Sequence, residues 1–263
     1  MVDQTSKSQA VRQAGDHIAR VVLPRASLDT AGKSWLLERL TTVGADPNIR
    51  VVVLTGEGRA FCVGQDLKEH AAALAGDPRT TFDTLAAHYE PIVSAITSMP
   101  KPVLAAINGT CVGAGLSFAL ACDLRIARAG AVFATAFTGI GLSFDSGLSA
   151  TLARAVGYAR ASELIIRGDS FTAEQALAWG LVGEVVAAEE WDTAVDALAT
   201  RLAHGPTQAY AAAKAALASG WGAPLPEVLH RERTDQIRLG STEDHRGAVE
   251  SFLAKQRPTF TGR

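Results

Sequence analysis

The chain has 263 residues, of which 48% are hydrophobic and 20% are charged, and its formal net charge is −2. This length and composition fit one large soluble domain, or one domain with an appended subdomain. The near-neutral charge gives no indication of a nucleic-acid partner or of binding to an acidic membrane. Residues 1–15 are polar, and no stretch reaches the roughly 18 apolar residues of a membrane span. We therefore expect a cytoplasmic protein with no membrane partner, and a disordered tail over residues 1–15.

Cysteine and histidine usage argues against a disulfide scaffold and against a metal centre. The three cysteines, Cys62, Cys111 and Cys122, are odd in number and lie in apolar surroundings, which is typical of buried reduced thiols. The six histidines show no metal-ligand spacing with one another or with a cysteine. We expect no bound metal.

The first two thirds of the chain alternate between predicted strands and predicted helices. Residues 51–55 are almost wholly apolar, as expected for a strand covered on both faces. Such alternation predicts a largely parallel sheet. The predicted strands are 18–23, 51–55, 61–63, 102–107, 124–127 and 131–134. The predicted helices are 31–43, a segment that opens at Gln65 and is broken at 76–78, 82–98, a small-residue helix ending near Asp123, and 146–156.

The last third of the chain changes character and becomes largely helical. Ser170 or Thr172, followed by Glu174, has the spacing of a capping box. The predicted helices are 174–179, 191–203, 206–218 and 242–255. A helical segment of this kind often packs on neighbouring subunits.

Three familiar motifs are incomplete in this chain. Gly32-Lys33-Ser34 resembles the end of a P-loop, but Ser27 stands where that loop needs a glycine, so a helix start is the better interpretation. Gly113-x-Gly115 lacks the third glycine of a dinucleotide fingerprint. The run at 141–145 does not have the glycine that ends a nucleophile elbow.

Two loop-to-helix junctions remain as candidate sites. One covers residues 60–67 and the other is Gly113-Ala114-Gly115. Each places small residues beside helix-start N–H groups, and two such donors that converge on one point would form an oxyanion hole. Each glycine could equally serve only a tight turn. The spacing alone does not choose between these readings.

Seven motifs are spread over nearly the whole chain after residue 17. They are Arg59-Ala60-Phe61-Cys62-Val63-Gly64-Gln65-Asp66-Leu67, Pro100-Lys101-Pro102-Val103, Ile107-Asn108-Gly109, Gly113-Ala114-Gly115, Ala121-Cys122-Asp123-Leu124, Trp179-Gly180-Leu181-Val182 and Phe252-Leu253-Ala254-Lys255. On these motifs, the chain closely resembles the crotonase (enoyl-CoA hydratase/isomerase) superfamily. Its His88-Tyr89-Glu90-Pro91 and Asp145-Ser146-Gly147 resemble, within that superfamily, the ring-epoxide (1,2-epoxyphenylacetyl-CoA) isomerase type of bacterial phenylacetate degradation.

This resemblance implies a fold and a domain organisation. The fold would be α/β, with a crotonase-like (ββα)n spiral core and a helical C-terminal trimerisation region. The core would cover residues 16–200 and the C-terminal helical subdomain residues 201–263. Members of the family are generally trimers or dimers of trimers, so the resemblance implies a homotrimer or a dimer of trimers.

The resemblance also implies a substrate and the groups that hold it. The substrate would be an acyl-CoA thioester, with CoA as part of the substrate and no separate cofactor. The thioester oxygen would be held by two backbone N–H groups, which map onto Gln65 and Ala114. Because CoA would lie along the 62–67 segment, Cys62, Asp66 and Leu67 would contact it. Fixed donors at a helix start suit the enolate that forms when the adjacent carbon loses a proton.

Two carboxylates of the hydratase pattern are missing from this chain. A typical hydratase of the family positions water with two glutamates, and the matching positions carry Ser117 and Phe137. Ordinary water addition is therefore in doubt. A carboxylate appears instead at Asp145, in a loop where several isomerases of the superfamily carry a proton-transferring acid.

Asp145 has a second interpretation, as the N-cap of a helix over Ser146-Gly147-Leu148, and one side chain could serve both purposes. Because Asp145 would lie beside Phe137 and Phe144, we expect desolvation to raise its pKa. Ser117 is expected to pack or to bond back to its own helix. Tyr89 is expected to form part of the pocket wall rather than to donate a proton.

The leading hypothesis from the sequence is an acyl-CoA isomerase in which Asp145 transfers a proton while Gln65 and Ala114 hold the enolate oxygen. An enoyl-CoA hydratase that works with Asp145 alone is the nearest alternative. A non-catalytic acyl-CoA-binding protein is a third hypothesis, from a different class. Lys101 and Lys255 are either CoA phosphate contacts or solvated surface lysines.

Overall fold

The computed structural model describes residues 10–12, 17–77 and 79–263. Twelve strands and ten α-helices lie in these ranges, together with a π-helical turn at Leu85–Tyr89 and a 3₁₀ turn at Thr138–Ile140. The strands are β1 (Ala10–Arg12), β2 (Ile18–Leu23), β3 (Ser27–Leu28), β4 (Val51–Gly56), β5 (Ala60–Cys62), β6 (Gly64–Gln65), β7 (Val103–Ile107), β8 (Thr110–Val112), β9 (Leu124–Arg128), β10 (Val132–Ala134), β11 (Phe171–Thr172) and β12 (Glu184–Val186). The α-helices are α1 (Thr30–Ala45), α2 (Leu67–Ala75), α3 (Glu90–Ser98), α4 (Ala114–Ala121), α5 (Leu148–Arg167), α6 (Ala173–Ala178), α7 (Trp191–Ala203), α8 (Thr207–Gly220), α9 (Leu225–Gly240) and α10 (Glu243–Leu253).

The main sheet has six strands in the order β1-β2-β4-β7-β9-β12. Every neighbouring pair is parallel except β1 and β2, which are antiparallel. The largely parallel sheet predicted from the sequence is therefore confirmed. Strand β1 contradicts the predicted disorder for residues 10–12, because these residues pair with β2. The rest of the predicted tail lies outside the described residues.

Two smaller sheets carry the segments that lead to the candidate site. One has the order β11-β10-β8-β5, and the other pairs β3 with β6. Helix α4, which follows β8, contacts β6, which leads to α2.

The main sheet is covered on both faces, which explains its apolar strands. In β4, Val52 and Leu54 pack into the cluster that includes α1, α3 and α4. Val51 and Val53 point the other way and pack against α7, in a cluster that includes Trp191. Because side chains alternate across a strand, burial on both faces requires an unbroken apolar run.

Several boundaries differ from those predicted. Gln65 does not open a helix but lies in β6, because Asp66 is the N-cap and α2 begins at Leu67. Helix α2 ends at Ala75, before the predicted break, and Pro78 lies outside the described residues. The segment 82–98 is divided into a π-helical turn and α3.

The last third is helical as predicted, with one helix that the sequence did not indicate. Helix α7 has the predicted bounds, whereas α9 was not predicted. The capping box of α6 is made by Thr172 and Gln175 rather than by Glu174. The expected boundary at residue 200 falls inside α7, whose buried side chains belong to the core. In the described ranges, no helix is both long and apolar enough to cross a membrane.

Candidate active site

The N-terminus of α4 lies directly against the β5–β6 segment. A Cβ atom added to Gly115 would lie 2.1 Å from the Cys62 carbonyl oxygen, so only glycine permits this approach. A Cβ on Gly64 would lie 3.2 Å from the backbone nitrogen of Ala114, and Gly64 has a φ of +83°. The two junctions singled out in the sequence are thus brought side by side by glycines.

This contact brings the residues that carry the two candidate N–H donors to one cavity. Ala114 is the first residue of α4, so its N–H has no acceptor within the helix. Gln65 and Ala114 both line a cavity of about 670 Å³. The sequence spacing does not decide whether the glycines serve only tight turns or also support a pair of donors. The structure brings the residues that carry the two candidate donors to the same cavity.

The lining of this cavity is mainly apolar and aromatic. Phe137 is buried, and Tyr89 has only 2% of its surface exposed. The other apolar side chains of the wall are Val63, Leu67, Phe82, Leu85, Val112, Ile140 and Leu142. A cavity of this size and composition suits an organic acyl group.

Asp145 is, in the described ranges, one of two carboxylates that line the cavity, the other being Asp66. The side chain of Asp145 is partly buried, and its Oδ1 atom has no hydrogen-bond partner among the described residues. Burial raises the pKa of Asp145, an effect that the neighbouring Ser146 hydroxyl offsets only in part. The upward direction predicted from the sequence is confirmed.

The N-cap interpretation of Asp145 is wrong in this structure. Helix α5 begins at Leu148, and its N-cap residue is Gly147. Ser146 and Gly147 both have positive φ angles, 51° and 75°. These two left-handed residues separate Asp145 from the helix start, and only the backbone oxygen of Asp145 accepts a helix N–H, that of Leu148.

Tyr89 forms part of the cavity wall, as expected, and also contacts Gln65. Its hydroxyl donates to the side-chain Oε1 of Gln65 at 2.8 Å. Burial, helped by the charges of Cys62, Asp145 and Glu69, raises the pKa of Tyr89 far above its usual value. Tyr89 therefore stays a neutral hydrogen-bond donor.

Of the three remaining predicted CoA contacts, two line the cavity and one does not. Asp66 and Leu67 line it, and 61% of the Leu67 surface is exposed. Cys62 does not line it: its side chain is fully buried, and burial raises the pKa of the thiol to about 12. Ser117 is also fully buried, and its hydroxyl donates back to the Gly113 carbonyl, as expected.

The two lysines considered as CoA contacts differ in their surroundings. Lys101 is buried and donates to the backbone oxygens of Val43 and Asp46, so it is neither a solvated lysine nor available to a phosphate. Lys255 is exposed near the C-terminus. Within the described residues, no group of His, Cys, Asp and Glu side chains could hold a metal ion.

Sequence reasoning missed a polar cluster behind Gln65. Lys33, on α1, is only 1% exposed, and its ammonium group donates to Gln65, Glu69 and Thr84. In the sequence, Lys33 belongs to the incomplete P-loop motif, and the helix start that is favoured there is confirmed by the Asp29 cap. Its position three residues into a helix gives no signal of burial, because its partners lie 32 to 51 residues away.

Comparison with known proteins defines the family. The model of the enoyl-CoA hydratase/isomerase family matches residues 18–263. The chain belongs to this family, which is part of the crotonase superfamily.

Individual relatives span both activities of the family name. A Rhodobacter capsulatus protein described as a probable enoyl-CoA hydratase is 40% identical over 95% of this chain and 97% of its own length. The 1,2-epoxyphenylacetyl-CoA isomerase of Escherichia coli is 39% identical, over 87% of each chain. A solved structure from Mycobacterium abscessus, assigned to enoyl-CoA hydratase/isomerase, is 47% identical, with a TM-score of 0.91 over 95% of this chain and 97% of its own.

Proposed function

We propose that this protein is an acyl-CoA isomerase. Asp145 removes a proton from a carbon of the bound acyl group, and the electron pair moves into the thioester to form an enolate. The N–H groups of Gln65 and Ala114 hold the enolate oxygen. Asp145 then returns the proton to a different carbon, so that the substrate is isomerised with no gain or loss of atoms.

One observation carries this proposal. Asp145 has an unpartnered carboxylate oxygen and a raised pKa, and it lines the same cavity as Gln65 and Ala114. A carboxylate oxygen left without a partner in a partly buried position costs stability, so its retention favours a chemical role.

Isomerisation is favoured over hydration by what stands at two positions. Where the family's hydratases carry glutamates, this chain has Ser117, bonded to its own helix, and Phe137, an apolar wall residue. Neither side chain can activate water as a carboxylate does. The similarity to the Escherichia coli isomerase makes ring-epoxide acyl-CoA thioesters the first substrates to test.

The test compares the protein with its Asp145→Ala variant in heavy water. Both are incubated with 2-enoyl-, 3-enoyl- and ring-epoxide acyl-CoA thioesters, and the products are analysed by mass spectrometry and NMR. Migration of a double bond or rearrangement of the ring that is lost in the variant supports the proposal. Formation of hydroxyacyl-CoA would instead identify a hydratase, and binding without turnover would identify a binding protein.

We also propose a homotrimer, or a dimer of such trimers, assembled through the C-terminal helices. Large apolar side chains on these helices are exposed in the single chain: Leu217, Leu225, Leu229, Ile237, Val249, Phe252 and Leu253. Exposed apolar surface of this extent is typical of subunit interfaces. Light scattering on a size-exclusion column should give a mass of three or six chains, and a monomer would contradict this assembly.

A further inference from the structure

Lys33 is a buried charge that none of the proposed catalytic steps uses. Its ammonium group donates to Gln65 Oε1 at 2.9 Å, to Glu69 Oε1 at 3.1 Å and to Thr84 Oγ1 at 2.8 Å. An ammonium group has three donors, so all of them are satisfied. The three acceptors come from β6, from α2 and from the segment before the π-helical turn, so one side chain ties together three elements around the cavity.

Gln65 is the residue on which this cluster converges. Its Oε1 accepts from Lys33 and from the Tyr89 hydroxyl, and its Nε2 donates to Glu69 Oε1 at 3.0 Å. The other oxygen of Glu69 accepts the Thr30 N–H at 2.7 Å. Gln65 therefore has its side chain held from three directions, although only its backbone N–H is needed for the chemistry.

The charges in the cluster compensate one another. Burial raises the pKa of Glu69, but bonds from the Thr30 N–H, Lys33 and Gln65 outweigh this effect and hold the pKa below its usual range. Glu69 is therefore the counter-ion of Lys33. The ammonium group of Lys33 is buried, whereas the Glu69 side chain is partly exposed. Taking a lysine out of water for an ion pair rarely adds stability compared with an apolar residue of similar volume, so stability alone does not account for a lysine at this position.

We propose that Lys33 is a positioning residue, which fixes the side chain of Gln65 and thereby aims the Gln65 N–H at the thioester oxygen. This inference rests on the proposed role of the Gln65 N–H in the oxyanion hole. A donor aimed at a developing negative charge acts strongly only while its geometry is fixed, and a small displacement lowers the rate severely. Lys33 supplies that fixation without touching the substrate.

The test replaces Lys33 by methionine, which keeps a similar length and removes all three donors. Lys101→Met is the matched control, because Lys101 is also a buried lysine bonded to oxygens but lies away from the cavity. The main readout is the infrared stretch of the thioester carbonyl in ¹³C-labelled hexanoyl-CoA and phenylacetyl-CoA, which moves to lower frequency when N–H groups hold the oxygen. The second readout is steady-state kinetics of the isomerisation, in which kcat and KM are determined separately.

We expect Lys33→Met to lose most of the carbonyl shift and to lower kcat roughly 10- to 100-fold with little change in KM, because the affected contact strengthens in the transition state. Lys101→Met should lose thermal stability but retain the full carbonyl shift. A Lys33→Met protein with an unchanged shift and an unchanged kcat would overturn the inference.

A second variant keeps the inference testable if Lys33→Met does not fold. Gln65→Met removes the side-chain hydrogen bonds to Lys33, Tyr89 and Glu69 and keeps the backbone N–H. It should therefore lose the same carbonyl shift, and full retention of the shift would overturn the inference. The proposed function can fail separately. A wild-type protein that shifts the carbonyl but isomerises no thioester would refute the isomerase while the Lys33→Met loss still supports positioning. A wild-type protein that gives no shift would refute the oxyanion hole and this inference together.

Discussion

Two aspartates that stand just before helices have opposite environments in this molecule. Asp66 precedes α2, and its Oδ1 accepts the N–H groups of Lys68 and Glu69 at 2.9 and 3.0 Å. Its Oδ2 accepts the Ser27 hydroxyl at 3.0 Å. Asp145 precedes α5, yet its Oδ1 has no partner among the described residues. The same residue type in similar sequence positions is therefore held by three hydrogen bonds at one site and left with an unpartnered oxygen at the other.

The pKa values of the two carboxyl groups diverge accordingly. The Glu69 N–H, followed by the Ser27 hydroxyl, lowers the pKa of Asp66, whereas burial raises that of Asp145. Local backbone geometry makes this difference. Asp66 is extended and lies next to the first helical residue, whereas the left-handed Ser146 and Gly147 separate Asp145 from α5. An acidic residue before a helix is a cap only where the chain enters the helix directly.

The largest expected effect comes from neutralising Asp145. Asp145→Asn keeps the shape of the side chain but removes the base, so kcat for isomerisation should fall by roughly 10²- to 10⁴-fold with a small change in KM. The melting temperature should stay the same or rise, because an unpartnered carboxylate oxygen is removed. Steady-state kinetics and thermal denaturation check both expectations. A variant that loses stability and keeps its rate would mean that Asp145 is structural.

The pH dependence of the reaction provides the next test. Asp145 must be ionised to take a proton, so kcat/KM should fall as the pH drops through its raised pKa, above the ordinary value of 3.8.

Ionisation of the two aspartates changes the stability of the fold in opposite directions. Asp66, with a lowered pKa, stabilises the fold at neutral pH and loses this contribution as the pH falls through that pKa. Asp145, with a raised pKa, lowers the stability of the fold at neutral pH, where it is charged. This cost disappears when the pH falls below the ordinary aspartate pKa.

A profile of kcat/KM that starts below the ordinary aspartate pKa of 3.8 and runs upward measures the acid limb directly. Denaturation of Asp66→Ala and Asp145→Asn over the same range separates the two stability contributions. An acid limb at or below the ordinary value of an aspartate would contradict the raised pKa of Asp145 and would leave Asp66 and Asp145 alike.

The backbone elements of the core could be predicted from the sequence, because local patterns determine them. Residues 51–55 were predicted as a strand covered on both faces, and β4 is buried on both faces. Helix α7 was predicted with its observed bounds. Helix α9 was missed because its sequence is rich in charge and none of its side chains is buried in the single chain.

The site was predictable where a motif repeats a known pattern and not where distant elements meet. Gln65, Ala114 and Asp145 were identified from their motifs, and the structure brings them to one cavity. The burial of Lys33 depends on acceptors from three elements, so no local pattern indicates it. The unpartnered state of Asp145 depends on the positive φ of Ser146, which the residue type does not favour.

A smaller effect is expected at Asp66. Asp66→Ala removes the cap of α2, so the melting temperature should fall by roughly 2 to 4 °C. Asp66→Asn should recover most of this loss, because asparagine is also a good N-cap. Both variants should keep most of the isomerase rate, in contrast to Asp145→Asn. If Asp66→Asn lowers the rate as severely as Asp145→Asn, then the charge of Asp66 participates in the reaction and the two aspartates do not divide the roles.

The smallest expected effect comes from Ser146, which lies between Asp145 and α5. Its φ of 51° is unfavourable for serine, and its hydroxyl has no hydrogen-bond partner by distance and angle within the described residues. Ser146→Gly relieves the backbone strain and removes the only group within the described residues that lowers the pKa of Asp145. We therefore expect the acid limb of kcat/KM to move to higher pH. The free energy of unfolding should change by less than about 1 kcal/mol, because the relief of strain is offset by the greater freedom of glycine in the unfolded chain. A limb that moves to lower pH would show that the hydroxyl raises the pKa of Asp145, and burial alone would then not explain why this aspartate differs from Asp66.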